Sequence, residues 1–461
     1  MTKPNTRVGL ISLGCAKNLV DSEVMLGHLA QAGASFVQNP ADADVIVVNT
    51  CGFIDAAREE SVETILEAAE LKKSGSLKRL VVAGCMVQRY ADELKGSLPE
   101  VDAFIGLDQL DQVVAGAALQ DGTGPAEAPD SDLPMIPQRL SWGRSTYLYN
   151  EATPRSLATP DWTAYVKIAE GCDHTCSFCA IPSFRGTFRS REASSIVAEA
   201  QALSQRGVRE ISLIAQDSSH YGRDRGEREG LSELLTQLND VELLRWVRLH
   251  YLYPNTITQK LIESMAALPK VVDYVDLPLQ HAHPAMLKRM RRGGSGDQHL
   301  KLLTRFRDAM PHGALRSTFI VGFPGETEEE FEALLEFVSA ARFDHLGVFT
   351  YSHETSTSAF ELEDDVAETV KTERRDRLMA LQSEIVEENN EARIGQRMEV
   401  VVEGAHPETE HLLVGRSRCQ ALDVDGQILI NDGTADPGSF VQVEITETAG
   451  YDLVGTILDP A

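Results

Sequence analysis

The chain has 461 residues, with 43 Lys and Arg against 70 Asp and Glu for a net charge of −27, and seven cysteines. At roughly 150 residues per domain this predicts about three domains, and a balance of 43% hydrophobic to 25% charged residues excludes disordered, collagenous and fibrous chains. The acidic excess opposes a partner held mainly through nucleic-acid phosphates and favours a basic one.

Residues 1–116 alternate short apolar runs with helical patterns. The runs are RVGLISLGC (7–15), DVIVVNTC (44–51) and RLVVAGC (79–85), separated by stretches such as SEVMLGHLAQAG and AREESVETILEAAELKK. Strand then helix, repeated, predicts a parallel α/β domain of Rossmann or flavodoxin type. Each run ends in a cysteine. Same-handed crossovers put the C-terminal ends of parallel strands on one edge, so Cys15, Cys51 and Cys85 are expected to meet there. The start, MTKPNTRVGLISLGC, has no signal-peptide layout, and no run reaches the roughly 20 apolar residues of a membrane span. The expected compartment is the cytoplasm, with no membrane partner, and an odd cysteine count there points to metal or redox chemistry rather than disulfides.

Residues 117–160, rich in Gly, Pro, Ala and Asp, read as a linker. Residues 161–365 carry six β-type runs: AYVKIAE, EISLIAQD, WVRLHYLYP, YVDLPLQ, STFIVGFPG and HLGVFTYS. Helical patterns separate them, one opened by a capping box of Thr327 and Glu330. Six βα units predict a partial or full α/β barrel with its chemistry at the C-terminal strand ends. Residues 366–396 form a charged helical connector with a solvated face. Residues 397–461 switch to five short alternating runs, a small antiparallel β-barrel of OB type. That last segment holds three arginines against twelve carboxylates.

The sharpest chemical signal is GCDHTCSFC, where Cys172, Cys176 and Cys179 follow the first barrel strand with the spacing C-x3-C-x2-C. Three thiolates in one loop can hold three irons of a [4Fe–4S] cluster and leave the fourth open. A structural zinc needs a fourth protein ligand, and His174, between the first two cysteines, is awkwardly placed for it. The bland readings apply elsewhere. Arg185, Arg189 and Arg191, and Lys288, Arg289, Arg291 and Arg292, read as solvated faces, and Cys419 as a free thiol. His250, His281 and His283 are given no catalytic role.

The cysteine loop on strand one resembles the radical S-adenosylmethionine (SAM) superfamily. That resemblance implies cluster ligation by Cys172, Cys176 and Cys179, an adenine contact at Phe178, and, from TFIVGFPGET (318–327), Gly322, Pro324 and Glu326 near SAM. SLGCAKN (12–18), NTCGFI (49–54) and AGCMVQR (83–89) resemble the N-terminal domain of methylthiotransferases. In that family Cys15, Cys51 and Cys85 would hold a second [4Fe–4S] cluster, and the last barrel would be a TRAM domain. The cofactors implied are two [4Fe–4S] clusters and SAM, the latter both methyl donor and radical source. An electron donor such as flavodoxin or ferredoxin is implied too, with the sulfur donor unknown.

Within the family, IAQDSSHYG (214–222), the cysteine loop and LYPNTI are similar to the branch that modifies the β-carbon of an aspartate in ribosomal protein S12. The acidic terminal barrel agrees, with Asp423, Asp425 and Asp432 expected to attract a basic protein and repel transfer RNA. Ser356 stands where the family usually has Gly, and Gln420 and Leu422 where this branch usually has Asp and Pro, which bears on docking rather than chemistry. Two rivals stand beside this reading: a methylthiotransferase acting on transfer-RNA adenosine, and a non-catalytic iron–sulfur scaffold or electron carrier.

Overall fold

The computed structural model describes residues 6–119 and 144–458. The N-terminal domain runs β1 (Arg7–Ser12), α1 (Ala16–Gln31), β2 (Ser35–Phe36), β3 (Val45–Thr50), α2 (Asp55–Lys73), β4 (Arg79–Gly84), α3 (Cys85–Ser97), β5 (Ala103–Ile105) and the single turn α4 (Val113–Gly116). Its five strands are parallel in the order β2-β1-β3-β4-β5, a doubly wound sheet whose order reverses between β1 and β3. Both faces are covered, as the unbroken apolar run VIVV demands. Val45 and Val47 pack with Val24, Met25 and Leu29 of α1, while Ile46 and Val48 pack with Ile65 and Ala68 of α2.

Of the expected linker, residues 120–143 lie outside the described residues. The part from 144 to 160 runs in the seam between domains. Tyr149 is buried there, and Arg155 bonds both Glu23 of α1 (2.5 Å) and Glu199 of the next domain (2.6 Å).

The central domain contains β6 (Thr163–Lys167), β7 (Ala169–Glu170), α5 (Ile181–Phe184), β8 (Arg189–Ser190), α6 (Ala193–Gln205), β9 (Glu210–Ile214), α7 (Gly230–Asn239), β10 (Trp246–Leu249) and α8 (Gln259–Ala267). It continues through β11 (Tyr274–Asp276), α9 (Pro284–Arg289), α10 (Gly296–Ala309), β12 (Ala314–Val321), α11 (Glu328–Ala341), β13 (His345–Thr350) and α12 (Glu368–Glu391). Two parallel triplets, β6-β9-β10 and β11-β12-β13, form the partial barrel around one shared core. Thr327 and Glu330 make the expected capping box at the start of α11. Helix α12 buries Leu378 and Ile385 in that core. Five of the six sequence runs overshoot the strands at their C-terminal ends, AYVKIAE ending with β7. HYLYP, for example, is loop after Leu249, with Leu252 packed into the central core. Among the described residues no helix is long and apolar enough to cross a membrane.

The terminal strands β14 (Arg397–His406), β15 (Thr409–Ser417), β16 (Ile428–Asp432), β17 (Phe440–Ala449) and β18 (Asp452–Ile457) close into a barrel in the order β14-β15-β16-β18-β17. Only the β16–β18 pair is parallel. This barrel sits on the N-terminal ends of the central strands, where Trp246 and Tyr274 pack with Val401, Ala421 and Phe440. Its loop after β15 enters the bottom of the partial barrel. The Tyr274 hydroxyl donates to Asp425 (2.6 Å), and Arg316 and His345 lie beside the same carboxylate. Asp425 is therefore a buried plug residue, which corrects its expected role as an exposed docking charge. Gln420 belongs to the same plug, its Oε1 accepting from the Ser417 amide (3.0 Å) and hydroxyl (3.1 Å), so this departure from the branch pattern affects domain packing.

Glu210 at the start of β9 joins the two barrels through Arg248 (3.0 Å) and Arg416 (2.7 Å). Burial opposes its ionisation, but the two guanidinium groups outweigh burial and hold its carboxyl at about 2, against an ordinary 4.5. A carboxyl depressed in the folded state stabilises fully above its unfolded value and loses that contribution as pH falls through the folded one. Acidification from 4.5 toward 2 should therefore loosen the terminal barrel, read as a change in Trp246 fluorescence. In Glu210→Gln the pH dependence within that window should shrink.

Candidate active site

The N-terminal cysteines occupy the three turns that follow β1, β3 and β4, with Cys15 and Cys51 on either side of the point where strand order reverses. Two glycines allow the turns to close up. A Cβ on Gly14 (φ +87) would lie 2.8 Å from the Cys51 Cβ, and one on Gly84 (φ +100) would lie 2.2 Å from Asn49 Oδ1. Asn18 ties the turns together. Its Nδ2 donates to the carbonyls of Leu13 (2.7 Å) and Thr50 (3.2 Å), and its Oδ1 lies 3.7 Å from the Cys85 thiol. The sheet edge thus brings Cys15, Cys51 and Cys85 together.

The thiols differ electrostatically. Burial pushes Cys85 up to about 12 and also raises Cys51. Cys15 meets the same penalty, but Lys17, Arg185 and the amides of Asn18 and Lys17 outweigh it and lower its value. Cys15 is nevertheless exposed, as is Gly14 before it. Lys17 is lowered by burial, against the raising effect of Cys15.

The second triplet lies in the loop between β7 and β8, whose pairing of Ala169 with Ser190 and Glu170 with Arg189 pins its base. The loop is clamped further at Ser177, whose amide donates to the Met290 carbonyl (3.0 Å) and whose Oγ donates to that of Arg289 (2.9 Å). Burial raises Cys172 and Cys179 to about 12, and Arg292 Nη1 stands 3.7 Å from the Cys176 sulfur. His174 is turned to Asp217 (2.6 Å) and stacks on Tyr253 with ring centroids 3.7 Å apart. It orients the loop and is not a fourth ligand to these thiols. Phe178 packs against Met286, Met290, Phe323 and Tyr351, an apolar patch suited to a flat ring.

Gly322 (φ +72) lies so close to α12 that a Cβ there would sit 2.2 Å from the Lys371 side chain. Pro324 is buried beside it. Glu326 is buried too, accepting from the Gly322 amide (2.5 Å) and Arg374 (2.8 Å), with His281 at 3.0 Å. It is a buttress beneath the turn.

Both triplets share a wall. Ala180, Ile181 and Phe184, just after Cys179, pack with Cys85. Arg185 donates to the Cys85 sulfur (3.0 Å), to Asp21 of α1 (3.0 Å) and to Glu170 (3.0 Å), while Lys167 pairs with Asp21 and with Glu170 (2.8 Å). Arg191 bonds Glu199 (2.6 Å). The expected solvated face at Arg185 and Arg191 is thereby corrected, since both are buried, Arg185 between Asp21 and Glu170 and Arg191 against Glu199. Asp21, Lys167 and Glu170 escaped sequence reasoning, although the charged Lys167 and Glu170 inside the apolar run AYVKIAE were a visible signal; Asp217 entered it only within the branch pattern IAQDSSHYG. Ser356 ties the domains together, its Oγ accepting from Arg89 Nη2 (2.7 Å).

Among the described residues no three His, Cys, Asp or Glu side chains converge as a site for one metal ion does. The donor sets fit a [4Fe–4S] cluster, which spreads three thiolates over three irons. Thiols raised to about 12 stay protonated at neutral pH unless a polyvalent cation draws off their protons, a charge that the iron of a cluster would supply.

Three family models match the chain in the order of its domains: Uncharacterized protein family UPF0004 over residues 7–106, the Radical SAM superfamily over 166–338, and the TRAM domain over 394–458. The fold is similar to that of the radical S-adenosylmethionine methyltransferase TsrM from Kitasatospora setae, solved with cobalamin and a [4Fe-4S] cluster bound. That likeness has a TM-score of 0.54 over 77% of each chain at 16% identity. The chain is 46% identical to the ribosomal protein uS12 methylthiotransferase RimO of Koribacter versatilis, over 99% of this chain and 97% of that one. It is 48% identical to the protein of the same name from Solibacter usitatus, over 98% and 95%. Likeness at that level along nearly the whole length, with cysteines in both matched domains, means that this chain belongs to the ribosomal protein uS12 methylthiotransferase RimO family of radical SAM enzymes.

Proposed function

We propose that this enzyme replaces a hydrogen on the β-carbon of an aspartate in ribosomal protein uS12 with a methylthio group, working in the cytoplasm with electrons from a flavodoxin or ferredoxin. The observation that carries the reading is the shared wall: Cys85 contacts both Arg185 and the turn after Cys179, so groups held at the two triplets are neighbours. When bound, one cluster at Cys172, Cys176 and Cys179 supplies the electron that splits SAM into the radical source, and a second at Cys15, Cys51 and Cys85 supplies the sulfur that SAM methylates.

The chain's own residues position and shield. Phe178 and its apolar neighbours offer a face to the adenine ring. Glu326 holds the Gly322 turn through the amide, and Asp217 holds the cysteine loop through His174. The paired charges of Asp21, Lys167, Glu170 and Arg185 leave little room for water between the domains, which protects reactive species from quenching.

Mass spectrometry of uS12 and of bulk transfer-RNA nucleosides from cells lacking the protein tests the reading. The expected result is a uS12 aspartate lighter by one methylthio group with unchanged nucleosides. Loss of a methylthioadenosine instead would establish the transfer-RNA alternative.

A ribosomal protein that binds RNA is basic, so charge should also steer docking. Exposed pairs are screened over ~8 Å at physiological ionic strength, and rising salt should slow uS12 association. Asp432 and Asp436 are exposed on the terminal barrel. Reversing both to Lys should lower the on-rate in stopped-flow binding and weaken its salt dependence, and an unchanged on-rate would refute steering by this face. Asp423 is left in place because its backbone is left-handed (φ +61), a conformation in which Lys is strained.

A further inference from the structure

Lys17 stands two residues after Cys15, in the first turn of α1. Its ammonium leaves the N-terminal domain and lies 3.2 Å from the ring centroid of Tyr251, in the loop after β10 of the central barrel. The residue is only 8% exposed. Among the described residues no carboxylate forms an ion pair with Nζ and no oxygen accepts a hydrogen bond from it; Cys15, Asp276 and Glu170 act on it as charges without bonding it.

The buried cations around it are all paired: Lys167 and Arg185 with Asp21 and Glu170, and Arg155 with Glu23 and Glu199. An ammonium kept from water without a hydrogen-bond acceptor is costly, and a ring face compensates only part of that cost. Cys15 feels the charge of Lys17 but is not bonded to it. Arg185 already donates to the Cys85 sulfur, whereas Lys17 makes no hydrogen bond to sulfur and reaches across to the barrel. The Tyr251 platform is itself held under strain. Its φ of +61 is rare for an aromatic residue, and its amide donates to Asp276 (3.1 Å) while its carbonyl accepts from Ser218 (2.9 Å). A buried ammonium with no hydrogen-bond acceptor, a strained supporting loop and a place where the cysteine edge of the sheet meets the barrel mouth together describe a subsite for an anion that arrives from outside.

We propose that Lys17 binds the side-chain carboxylate of the substrate aspartate, presenting the adjacent β-carbon between the two cysteine sets. This rests on the aspartate-modifying function given above, and it makes Lys17 a specificity residue, because asparagine has the same shape without the charge.

The test uses the full-length enzyme after cluster reconstitution, with iron content and visible absorbance recorded so that variants are compared at equal loading. Fluorescence anisotropy measures the affinity of labelled peptides spanning the uS12 target, with Asp or Asn at the modified position. The parent should prefer the Asp peptide by on the order of ten- to a hundredfold, the range charge-assisted hydrogen bonds span. Lys17→Met should bind both peptides alike, at the parent's Asn level, and Lys17→Arg should recover part of the preference. A parent that methylthiolates uS12 without preferring the Asp peptide overturns the Lys17 assignment alone, even if Lys17→Met does not fold. So does a Lys17→Met protein that keeps the parent's preference. A parent that leaves uS12 unmodified under reducing turnover overturns the functional reading instead.

Discussion

Replacing Cys172, Cys176 and Cys179 together by Ala should halve the iron of the reconstituted enzyme, from about eight per chain to about four, and abolish formation of 5′-deoxyadenosine. The expectation follows from the separation of the two sets. One is built on a loop pinned by β7 and β8, the other on three turns of a different sheet, and neither backbone depends on the other's cysteines. The reciprocal triple variant at Cys15, Cys51 and Cys85 should also keep about half the iron and still cleave SAM under strong reductant, yet attach no sulfur to uS12. Iron analysis and quantitation of 5′-deoxyadenosine read both variants. If the first keeps all its iron, or loses all of it while circular dichroism shows it folded, the two-site assignment is wrong.

Arg185→Met should destabilise the protein by on the order of 3–5 kcal/mol, the cost of removing one partner from a buried ion network. Exposed pairs contribute only about 0–1 kcal/mol each, so a loss of several can come only from the buried set. Met fills most of the volume but leaves Asp21 and Glu170 sharing Lys167 alone. Attraction to Arg185 and Lys167 outweighs burial and holds Glu170 well below the usual carboxylate range, and that charge would lose its main support. Adding Glu170→Gln should recover part of the loss by removing the stranded charge. Urea denaturation of the metal-free chains measures both. A loss below about 1 kcal/mol for Arg185→Met, the exposed-pair range, would show that water reaches the network.

What local sequence determines is legible because it is local. VIVVNT and RLVVAG are strands from their own composition, and a cysteine ending such a run stands at a sheet edge whatever the rest of the chain does. The same holds for the C-x3-C-x2-C loop and for the capping box at Thr327, since both act over a few residues. The two-residue strand β2 and three-residue strand β5 were not among the predicted runs, being too short for a periodicity and existing only through pairing with β1 and β4.

Tertiary structure decided the fate of the charges. Arg185 and Arg191 look like a solvated face when read along the chain, because composition cannot reveal that Asp21, 164 residues away from Arg185, will stand 3.0 Å from it. Asp425 counts as acidic surface until the loop after β15 enters the barrel bottom, where Tyr274 and Arg316 stabilise its carboxylate away from bulk water. Lys17 is one letter in SLGCAKN, and nothing local distinguishes it from a surface lysine. Only the packing of the sheet edge against Tyr251 removes its water and leaves its ammonium without a hydrogen-bond acceptor. Hydrophobic period and cysteine spacing are properties of neighbours in sequence and could be read directly, whereas whether a charge is buried, and what compensates it, depends on chain segments brought together only by folding.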